Sequence, residues 1–348
     1  MNPKNKQDYW INETIGLLTL SLMKGVGYWT IRNFAIQGLS YKQVLKVESS
    51  TEFIEYMKAA GCKNANQVGE IWQSSISEIW EEAVKLYHNL KRQNIEVIHY
   101  KQNHFPLKLK EIEEAPQWLF VQGNLSLLYQ EAITIVGTRQ PSEDGKFLAK
   151  YIGSCLFYWK EAVTVSGLAY GIDQIIHEES IRFNVPTIAF IGTGILLNYP
   201  ANSEKLRQKI LEKGGTIVSE YLPSESYSAE NFVRRNRLQA GLAQVVIPVE
   251  WKPKSGTAHT VRFAKAANRQ LICLKLPDWS SLEHPELSIA QEIGAKIFTI
   301  PGQESELIKM VQRLIDKRSS SVQMDESQKN DINSSTSEPN YHQLTLWE

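Results

Sequence analysis

The sequence predicts an α/β protein in which a doubly wound, mostly parallel sheet with helices on both faces follows a smaller helical region. Short β-branched runs recur from about residue 95 onward, and each is followed by a turn and a helical stretch. Several runs are apolar throughout, as in strands that are buried on both faces of a parallel sheet. Strands that alternate with turns and helices in this way are typical of doubly wound α/β domains.

The pattern of the sequence divides the chain into three regions, and nine runs in the second region are predicted as strands. Residues 1–95 form a helical domain, 96–317 form the α/β domain, and 318–348 form a polar tail. The tail has almost no large apolar residue before its last few positions, so we expect it to be disordered. The strands are predicted at 97–98, 118–121, 133–136, 163–165, 187–191, 216–218, 245–249, 271–276 and 296–300.

The helical region contains a glycine-rich turn. Apolar residues at helical spacing predict helices over 11–22 and 71–90. Between Leu22 and Phe34, the segment Met23-Lys24-Gly25-Val26-Gly27 suits a tight turn between two helices. It resembles a helix-hairpin-helix turn, whose backbone N–H groups can face a DNA phosphate. A DNA contact and a plain interhelical turn both remain open.

Composition limits the classes of protein that fit. The 348 residues are 42% apolar and 22% charged, as in an ordinary globular protein, with no apolar run long enough for a membrane span and no export signal at the N-terminus. Cys62, Cys155 and Cys273 form no metal-ligand spacing, so we expect buried, reduced thiols in a cytoplasmic protein. Zero net charge argues against a broadly basic surface but permits a local basic groove.

The turns after the strands carry the chemistry, because ligands of open α/β sheets bind outside the carboxyl ends of the strands. After the third predicted strand come Gly137, Thr138 and Arg139, and Ser142 can cap the next helix. Glycine allows close approach of a ligand, the helix N-terminus attracts an anion, and arginine binds phosphate. A plain turn with a surface arginine is the alternative.

A second glycine-rich turn follows the fourth predicted strand. It contains Ser166, Gly167 and Gly171, and it leads into Asp173 and His177, which lie four residues apart on one helix face. We interpret this pair as support for the loop, and an acid/base pair is the alternative. A metal site would need further ligands that the sequence does not identify.

Two later segments offer nucleic-acid contacts. In the segment 232–237, Phe232 can stack on a base while Arg235 and Arg237, flanking Asn236, bind phosphates. A solvated basic helix face is the alternative. Ser255 and Gly256 then begin another turn that is rich in hydroxyl groups and N–H donors.

Six motifs occur in the order and spacing of the DNA-processing protein A (DprA/Smf) family, which the chain resembles over roughly residues 10–300. The motifs are GTRQPSEDG (137–145), SGLAYGID (166–173) with His177, GTGILLNYP (192–200), Ser219-Glu220, FVRRNR (232–237) and SGTAHT (255–260).

The resemblance implies an extended Rossmann-like domain preceded by a small all-α domain of helix-hairpin-helix or SAM-like type. It implies a homodimer that binds single-stranded DNA without sequence preference, protects incoming DNA and helps to load RecA during natural transformation. No catalytic activity, cofactor or metal is implied. Many members carry a C-terminal winged-helix domain, which we do not expect here. With the turns above, the expected DNA-binding residues are Gly137, Thr138, Arg139, Ser166, Gly167, Gly171, Phe232, Arg235, Asn236, Arg237, Ser255 and Gly256, with Asp173 and His177 supporting the loops.

A competing hypothesis is a nucleotide-processing enzyme. Rossmann-like phosphoribohydrolases of the lysine-decarboxylase-like group cleave nucleoside monophosphates and carry a PGGxGTxxE loop with a catalytic glutamate. Here Ser255-Gly256-Thr257 lies in a comparable place, but Thr260 stands where the glutamate would be. That difference favours binding over catalysis. A nucleotide sensor in immunity against phage is a third hypothesis.

The end of the chain resembles a short docking peptide. Gln343, Leu344, Leu346 and Trp347 match the pattern by which many bacterial proteins bind the polymerase sliding clamp, although Trp347 replaces the usual Phe or Leu. A tail that folds back onto its own domain is the alternative.

Overall fold

The computed structural model describes residues 3–280, 282–319 and 344–346, and the chain forms two compact units. The first unit comprises Met1–His104 with Asp325–Glu348, and the second comprises Phe105–Met324. The division therefore falls after the first strand, whereas the sequence placed it at residue 95, before that strand. Most of the predicted disordered tail lies outside the described residues.

The first unit is helical apart from one strand in its described part. Its elements are α1 (Pro3–Leu22), α2 (Tyr28–Ile36), α3 (Tyr41–Leu45), α4 (Ser50–Ala59), α5 (Ala65–Arg92) and β1 (Ile95–His99).

Helix α5 shows why this region is helical. Its buried residues recur every three or four positions, and charged residues occupy the opposite face. This apolar stripe packs against α1 and α4. The predicted turn at 23–27 does separate α1 from α2, and Gly25 adopts φ +97° there. A DNA contact at this turn stays a prediction.

The second unit contains the remaining eight strands in one sheet. They are β2 (Trp118–Gly123), β3 (Ala132–Gly137), β4 (Val163–Ser166), β5 (Thr187–Phe190), β6 (Thr216–Ser219), β7 (Val245–Val249), β8 (Gln270–Lys275) and β9 (Lys296–Thr299). Every strand predicted from the sequence is present, with ends within two residues of the predicted ones.

The helices of the second unit precede, connect and follow these strands. They are α6 (Leu107–Lys110), α7 (Glu143–Cys155), α8 (Ile172–Arg182), α9 (Glu204–Glu212), α10 (Ala229–Leu242), α11 (Gly256–Ala266), α12 (Pro285–Glu292) and α13 (Glu304–Ser319).

The strand order of this sheet is β2-β6-β5-β4-β3-β7-β8-β9, and all neighbours are parallel except β2 and β6. The chain therefore winds outward from β3 in one direction and from β7 in the other. Ligands of doubly wound sheets bind at the carboxyl ends of the two strands where the winding reverses, here β3 and β7. The predicted fold class, a mostly parallel sheet with a helical part before it, is confirmed.

Helices cover both faces of the sheet at β3. The Thr134 hydroxyl donates to the carbonyl oxygen of Gln239 in α10 (2.7 Å). Three positions further along the strand, a β-carbon on Gly137 would lie 2.8 Å from the β-carbon of Ile172 in α8. Because successive strand residues point to opposite faces, α8 and α10 lie on opposite sides.

Three further sequence expectations concern surface and redox chemistry. Cys62, Cys155 and Cys273 are free and buried, as predicted. Within the part of the chain that the structure describes, no helix has both the length and the apolar character of a membrane span. The same part contains no group of three or more His, Cys, Asp or Glu side chains that could hold a metal ion.

Candidate functional site

The candidate site lies at the carboxyl edge of the sheet of the second unit, where the turns after β3, β4 and β7 meet. The predicted residues 137–139, 166–171 and 255–256 belong to these three turns, and 232–237 belong to α10. The N–H of Ile172 donates to Thr138 O (3.2 Å), and Asn236 Nδ2 donates to Gly256 O (3.0 Å). The structure therefore brings the predicted motifs together, although not all of their side chains face solvent.

A buried arginine joins these turns. Arg235 is only 3% exposed, and its Nη1 donates to the carbonyl oxygens of Gly167 (2.8 Å) and Phe190. Its Nε donates to Asn236 Oδ1 (3.2 Å). Burial lowers the pKa of Arg235, and the nearby Asp173 carboxylate opposes that shift. Arg235 thus links the turn after β4 to the last residue of β5.

Two glycines make this packing feasible. A β-carbon on Gly167 would overlap the guanidinium of Arg235, so no larger residue fits without moving a buried charge. Gly171 adopts φ +80°, and a β-carbon there would overlap the carbonyl oxygen of Thr138. Both glycines are therefore explained by contacts inside the protein, whatever they also offer to a ligand.

Asp173 and His177 have the surroundings of supporting residues. Burial raises the pKa of Asp173, while the Arg235 charge and the N–H groups of Ala169 and Gly137 oppose the rise. Burial lowers the pKa of His177 to about 3, and its Nδ1 lies 2.8 Å from Thr187 Oγ1. His177 is therefore neutral near pH 7 and fully enclosed, which disfavours the acid/base alternative. The Ser166 hydroxyl is also buried and donates to Ile135 O (2.7 Å).

The basic run in α10 is not a solvated face. Arg234, Arg235 and Arg237 are all buried. Each terminal nitrogen of Arg237 lies 2.6 Å from a carboxylate oxygen of buried Glu220, which gives the glutamate of the Ser219-Glu220 motif a structural role. Arg237 also donates to Glu114 O through Nε (3.0 Å) and Nη2 (2.9 Å). The alternative of an exposed basic helix is wrong, because these charges are used inside the domain.

Arg139 is the exposed cation of the predicted set. Its guanidinium carbon lies 5.1 Å from the centroid of the Phe232 ring, within the range of a cation–π interaction. The ring of Tyr199 lies 5.1 Å from Phe232 and 4.3 Å from the ring of Tyr227. Tyr227 is exposed and Tyr199 is half-buried. In the sequence, Tyr199 belongs to the motif 192–200, whereas Tyr227 belongs to none of the six motifs, and no spacing connects either residue to Phe232.

The N-terminus of α7 differs from what the sequence suggested. Ser142 does cap this helix by accepting the N–H of Gly145 (3.0 Å). However, the carboxylate of Glu250, which follows β7, accepts the N–H of Ser142 (2.9 Å). An acidic side chain of the protein thus occupies the place where an anionic ligand was expected.

The N-terminus of α11 is more open. Ser255 caps it by accepting the N–H of Ala258 (3.3 Å), and its first turn contains no acidic residue. A β-carbon on Gly256 would contact nothing within 4 Å. Lys252 and Lys254, which the sequence analysis did not single out, are exposed in the same turn. The edge of the sheet therefore offers N–H donors, a few cations and aromatic rings, which suit a phosphate chain with unstacked bases.

Comparison with known proteins identifies the family. The family model described as DNA recombination-mediator protein A matches residues 96–299. The chain belongs to this family. One relative is DNA processing protein DprA of Streptococcus pneumoniae, which is 36% identical over 196 residues. The aligned residues are 56% of this chain and 68% of the relative. Protein Smf of Synechocystis is 37% identical over 175 residues, 49% of this chain but only 43% of that relative.

Two solved structures of DNA processing protein A are similar to this family member. The S. pneumoniae structure has a TM-score of 0.62 and 28% identity, covering 82% of this chain and 94% of that chain. The structure from Helicobacter pylori, described in terms of its single-stranded DNA binding mode, has a TM-score of 0.54 and 26% identity, covering 63% of this chain and 96% of that chain. The resemblance stated from the six motifs is confirmed.

The clamp-like motif lies in the first unit. Leu344 and Leu346 are buried there. Gln343 and Trp347 lie outside the described residues. This arrangement corresponds to the alternative in which the tail folds back onto its own chain.

We predict that Gly167→Ala lowers the free energy of unfolding of the second unit by about 1–3 kcal/mol, the usual range for overpacking. The added methyl group displaces Arg235 from its two carbonyl acceptors. Gly256→Ala is the matched control, because its site is open and the change removes only backbone freedom; it should be neutral or stabilising by up to about 1 kcal/mol. Urea unfolding of both variants decides, and equal stability of the two would contradict this role of Gly167.

We also predict that His177 makes the second unit less stable as the pH falls. The folded pKa is about 3, so below about pH 6.5 the unfolded chain binds a proton that the folded chain does not. The loss reaches about 2 kcal/mol at pH 5, from about 1.4 kcal/mol per pH unit. Urea unfolding of His177→Gln at pH 7.5 and 5 measures this effect. The free energy of unfolding of the variant should fall less between these two pH values than that of the unchanged chain, by that amount. His259→Gln, at a half-buried position, should retain most of the pH dependence of the unchanged chain. If His177→Gln loses as much unfolding free energy between pH 7.5 and 5 as the unchanged chain does, His177 is not the source of the pH dependence.

Proposed function

We propose that this chain binds single-stranded DNA at the carboxyl edge of its sheet, without sequence preference. The observation that carries the proposal is the exposed Arg139 stacked over Phe232, beside the rings of Tyr199 and Tyr227. Aromatic rings accept any base by its face, and a cation beside them attracts the adjoining phosphate. A duplex hides the faces of its bases, so this combination favours single strands.

The predicted residues divide into two roles under this proposal. The backbone of Gly137, Thr138, Gly167, Gly171, Ser255 and Gly256 approaches the strand, while Arg139 and Phe232 contact phosphate and base. The second role is to support these turns from inside the domain, where their polar atoms have hydrogen-bond partners. It belongs to Ser166, Arg235, Asn236 and Arg237. Asp173 and His177 support the same loops.

Family membership supports a wider role in DNA processing. We infer a cytoplasmic homodimer that protects an incoming strand and helps to load RecA on it in natural transformation. A separate proposal is docking on the polymerase sliding clamp through Gln343, Leu344, Leu346 and Trp347. It requires Leu344 and Leu346 to leave their buried positions.

The nucleotide-processing alternative has less support. Thr260, which stands in place of the catalytic glutamate of the phosphoribohydrolases, is buried. Asp173 and His177 are enclosed, and a histidine with a pKa of about 3 is a poor general base near neutrality. A nucleotide sensor would use the same edge without turnover, and it differs from the main proposal in preferring a mononucleotide to an oligonucleotide.

We predict that Arg139→Ala weakens binding of a labelled single-stranded oligonucleotide and reduces its salt dependence. Each phosphate neutralised on a single strand contributes about 0.7 to the slope of log affinity against log salt. The slope should therefore fall by about that amount. Fluorescence anisotropy across a salt series, with a duplex of the same sequence for comparison, measures both effects.

Arg182 provides the matched control for this experiment. It is exposed and its guanidinium carbon lies 5.4 Å from the Phe183 ring, but it is at the C-terminal end of α8 and hence at the other edge of the sheet. Arg182→Ala should leave affinity and slope unchanged. If Arg139→Ala behaves like Arg182→Ala, or if duplex DNA binds as tightly as the single strand, the proposed site is wrong.

We predict no hydrolysis of nucleoside monophosphates. The physical reason is that Asp173 and His177 are enclosed and Thr260 replaces the glutamate. Incubation with AMP and the other monophosphates, followed by chromatography for free base, should show none above a protein-free blank. Turnover that disappears in Asp173→Ala would favour the enzyme instead.

A further inference from the structure

The last described residues, 344–346, are held by the helical first unit. Trp80 Nε1 in α5 donates to the carbonyl oxygen of Leu344 (2.8 Å). Lys42 Nζ in α3 donates to the carbonyl oxygen of Thr345 (3.0 Å). Leu344 and Leu346 are 6% and 2% exposed, whereas Thr345 between them is exposed. Two alternate side chains are therefore inserted, and two consecutive carbonyl groups are bound.

The binding groups are themselves held in place. Lys42 Nζ also donates to Asn12 Oδ1 of α1 (3.1 Å) and lies 5.6 Å from the centroid of the Trp80 ring. Helix α1 packs against both α3 and α5, the helices that carry Lys42 and Trp80. A fixed indole N–H and a fixed ammonium group that bind backbone carbonyls recognise an extended peptide, and the buried positions on either side select apolar side chains.

We propose that α1, α3 and α5 form a peptide-docking groove for a leucine-x-leucine segment, and that its resident ligand is the chain's own residues 344–346, bound reversibly and in cis. Two leucines and two hydrogen bonds give a weak anchor for a free peptide. Covalent linkage within one chain can raise the effective local concentration of such a ligand to about the millimolar range, so a weak ligand that belongs to the same chain still occupies its site.

While residues 344–346 occupy the groove, neither the groove nor the two leucines can bind another partner. The two leucines that fill the groove are the same two that the clamp-like motif would present to a partner. A partner that binds Leu344 and Leu346 must therefore displace them from Trp80 and Lys42, and its binding leaves the groove open for another leucine-x-leucine peptide. The residues of this groove belong to the first unit, whereas those of the proposed DNA site belong to the second.

The test uses a fluorescent peptide of residues 338–348 and two full-length proteins. One protein is the unchanged chain, and the other is the double variant Leu344→Asp with Leu346→Asp, which empties the groove. The double variant should bind the peptide, and the unchanged chain should bind it at least tenfold more weakly because its own tail competes. Equal binding by both proteins, or binding by neither, would overturn the proposal.

The identity of the contacts is tested with peptide and protein variants. Peptides with Leu344→Ala or Leu346→Ala should bind the double variant at least tenfold more weakly, and a Thr345→Ala peptide should bind equally well, since that side chain is exposed. Adding Trp80→Phe to the double variant should weaken binding. Trp72→Phe is the matched control, because Trp72 lies on the same helix and its Nε1 donates to Leu45 O (3.0 Å) inside the unit. Equal effects of the two tryptophan changes would refute recognition by Trp80.

Light scattering distinguishes the tail of the same chain from that of a second copy. Under the proposal the unchanged chain and the double variant have the same mass in solution, whatever the oligomeric state. A lower mass for the double variant would mean that the tail binds in trans, and would overturn the assignment in cis.

Discussion

The buried guanidinium of Arg235 is the interaction on which the candidate site depends. A charge that is 3% exposed must be compensated inside the protein, and here it donates to Gly167 O and Phe190 O and lies near the Asp173 carboxylate. These partners come from the turn after β4, from the end of β5 and from α8. Three separate segments of chain are therefore held by one side chain, and their backbone positions at the edge of the sheet are set by it.

Much of the glycine pattern follows from this constraint. Gly167 is required where Arg235 packs against the turn after β4, and Gly171 is required where the same turn contacts the Thr138 carbonyl. Such glycines resemble a phosphate-binding loop in sequence, because close approach to a ligand and close approach to a neighbouring chain segment demand the same absence of a side chain. Sequence alone does not separate the two causes, and here the internal contact explains both positions.

The fold was predictable to a greater depth than the site. A continuous apolar run such as 245–249 predicts a buried parallel strand from neighbouring residues alone, without knowledge of distant contacts. Each predicted strand occurs in the structure. The sequence predicted which turns lie at the carboxyl edge of the sheet, but not which of their side chains face solvent and which are buried. The run Arg234 to Arg237 reads as a basic face, yet its burial depends on Glu220 and Glu114, which are distant in sequence. The proximity of Tyr227 to Tyr199 and of Glu250 to Ser142 arises in the same way from the tertiary fold.

The distribution of charge fits the proposal that this chain, which has no net charge, binds a polyanion. The buried arginines are matched by Glu220, Glu114 and Asp173, so they add little to the field outside the protein. The acidic Glu250 at the start of α7 further weakens the field there. What remains for a nucleic acid is Arg139 with a few exposed lysines, uncharged N–H groups and aromatic rings. Such a surface binds through stacking and local contacts more than through long-range attraction, and stacking favours strands whose bases are already exposed. The proposed preference for single strands therefore fits a site in which three of the four arginines in the predicted motifs form contacts inside the domain and only Arg139 is exposed.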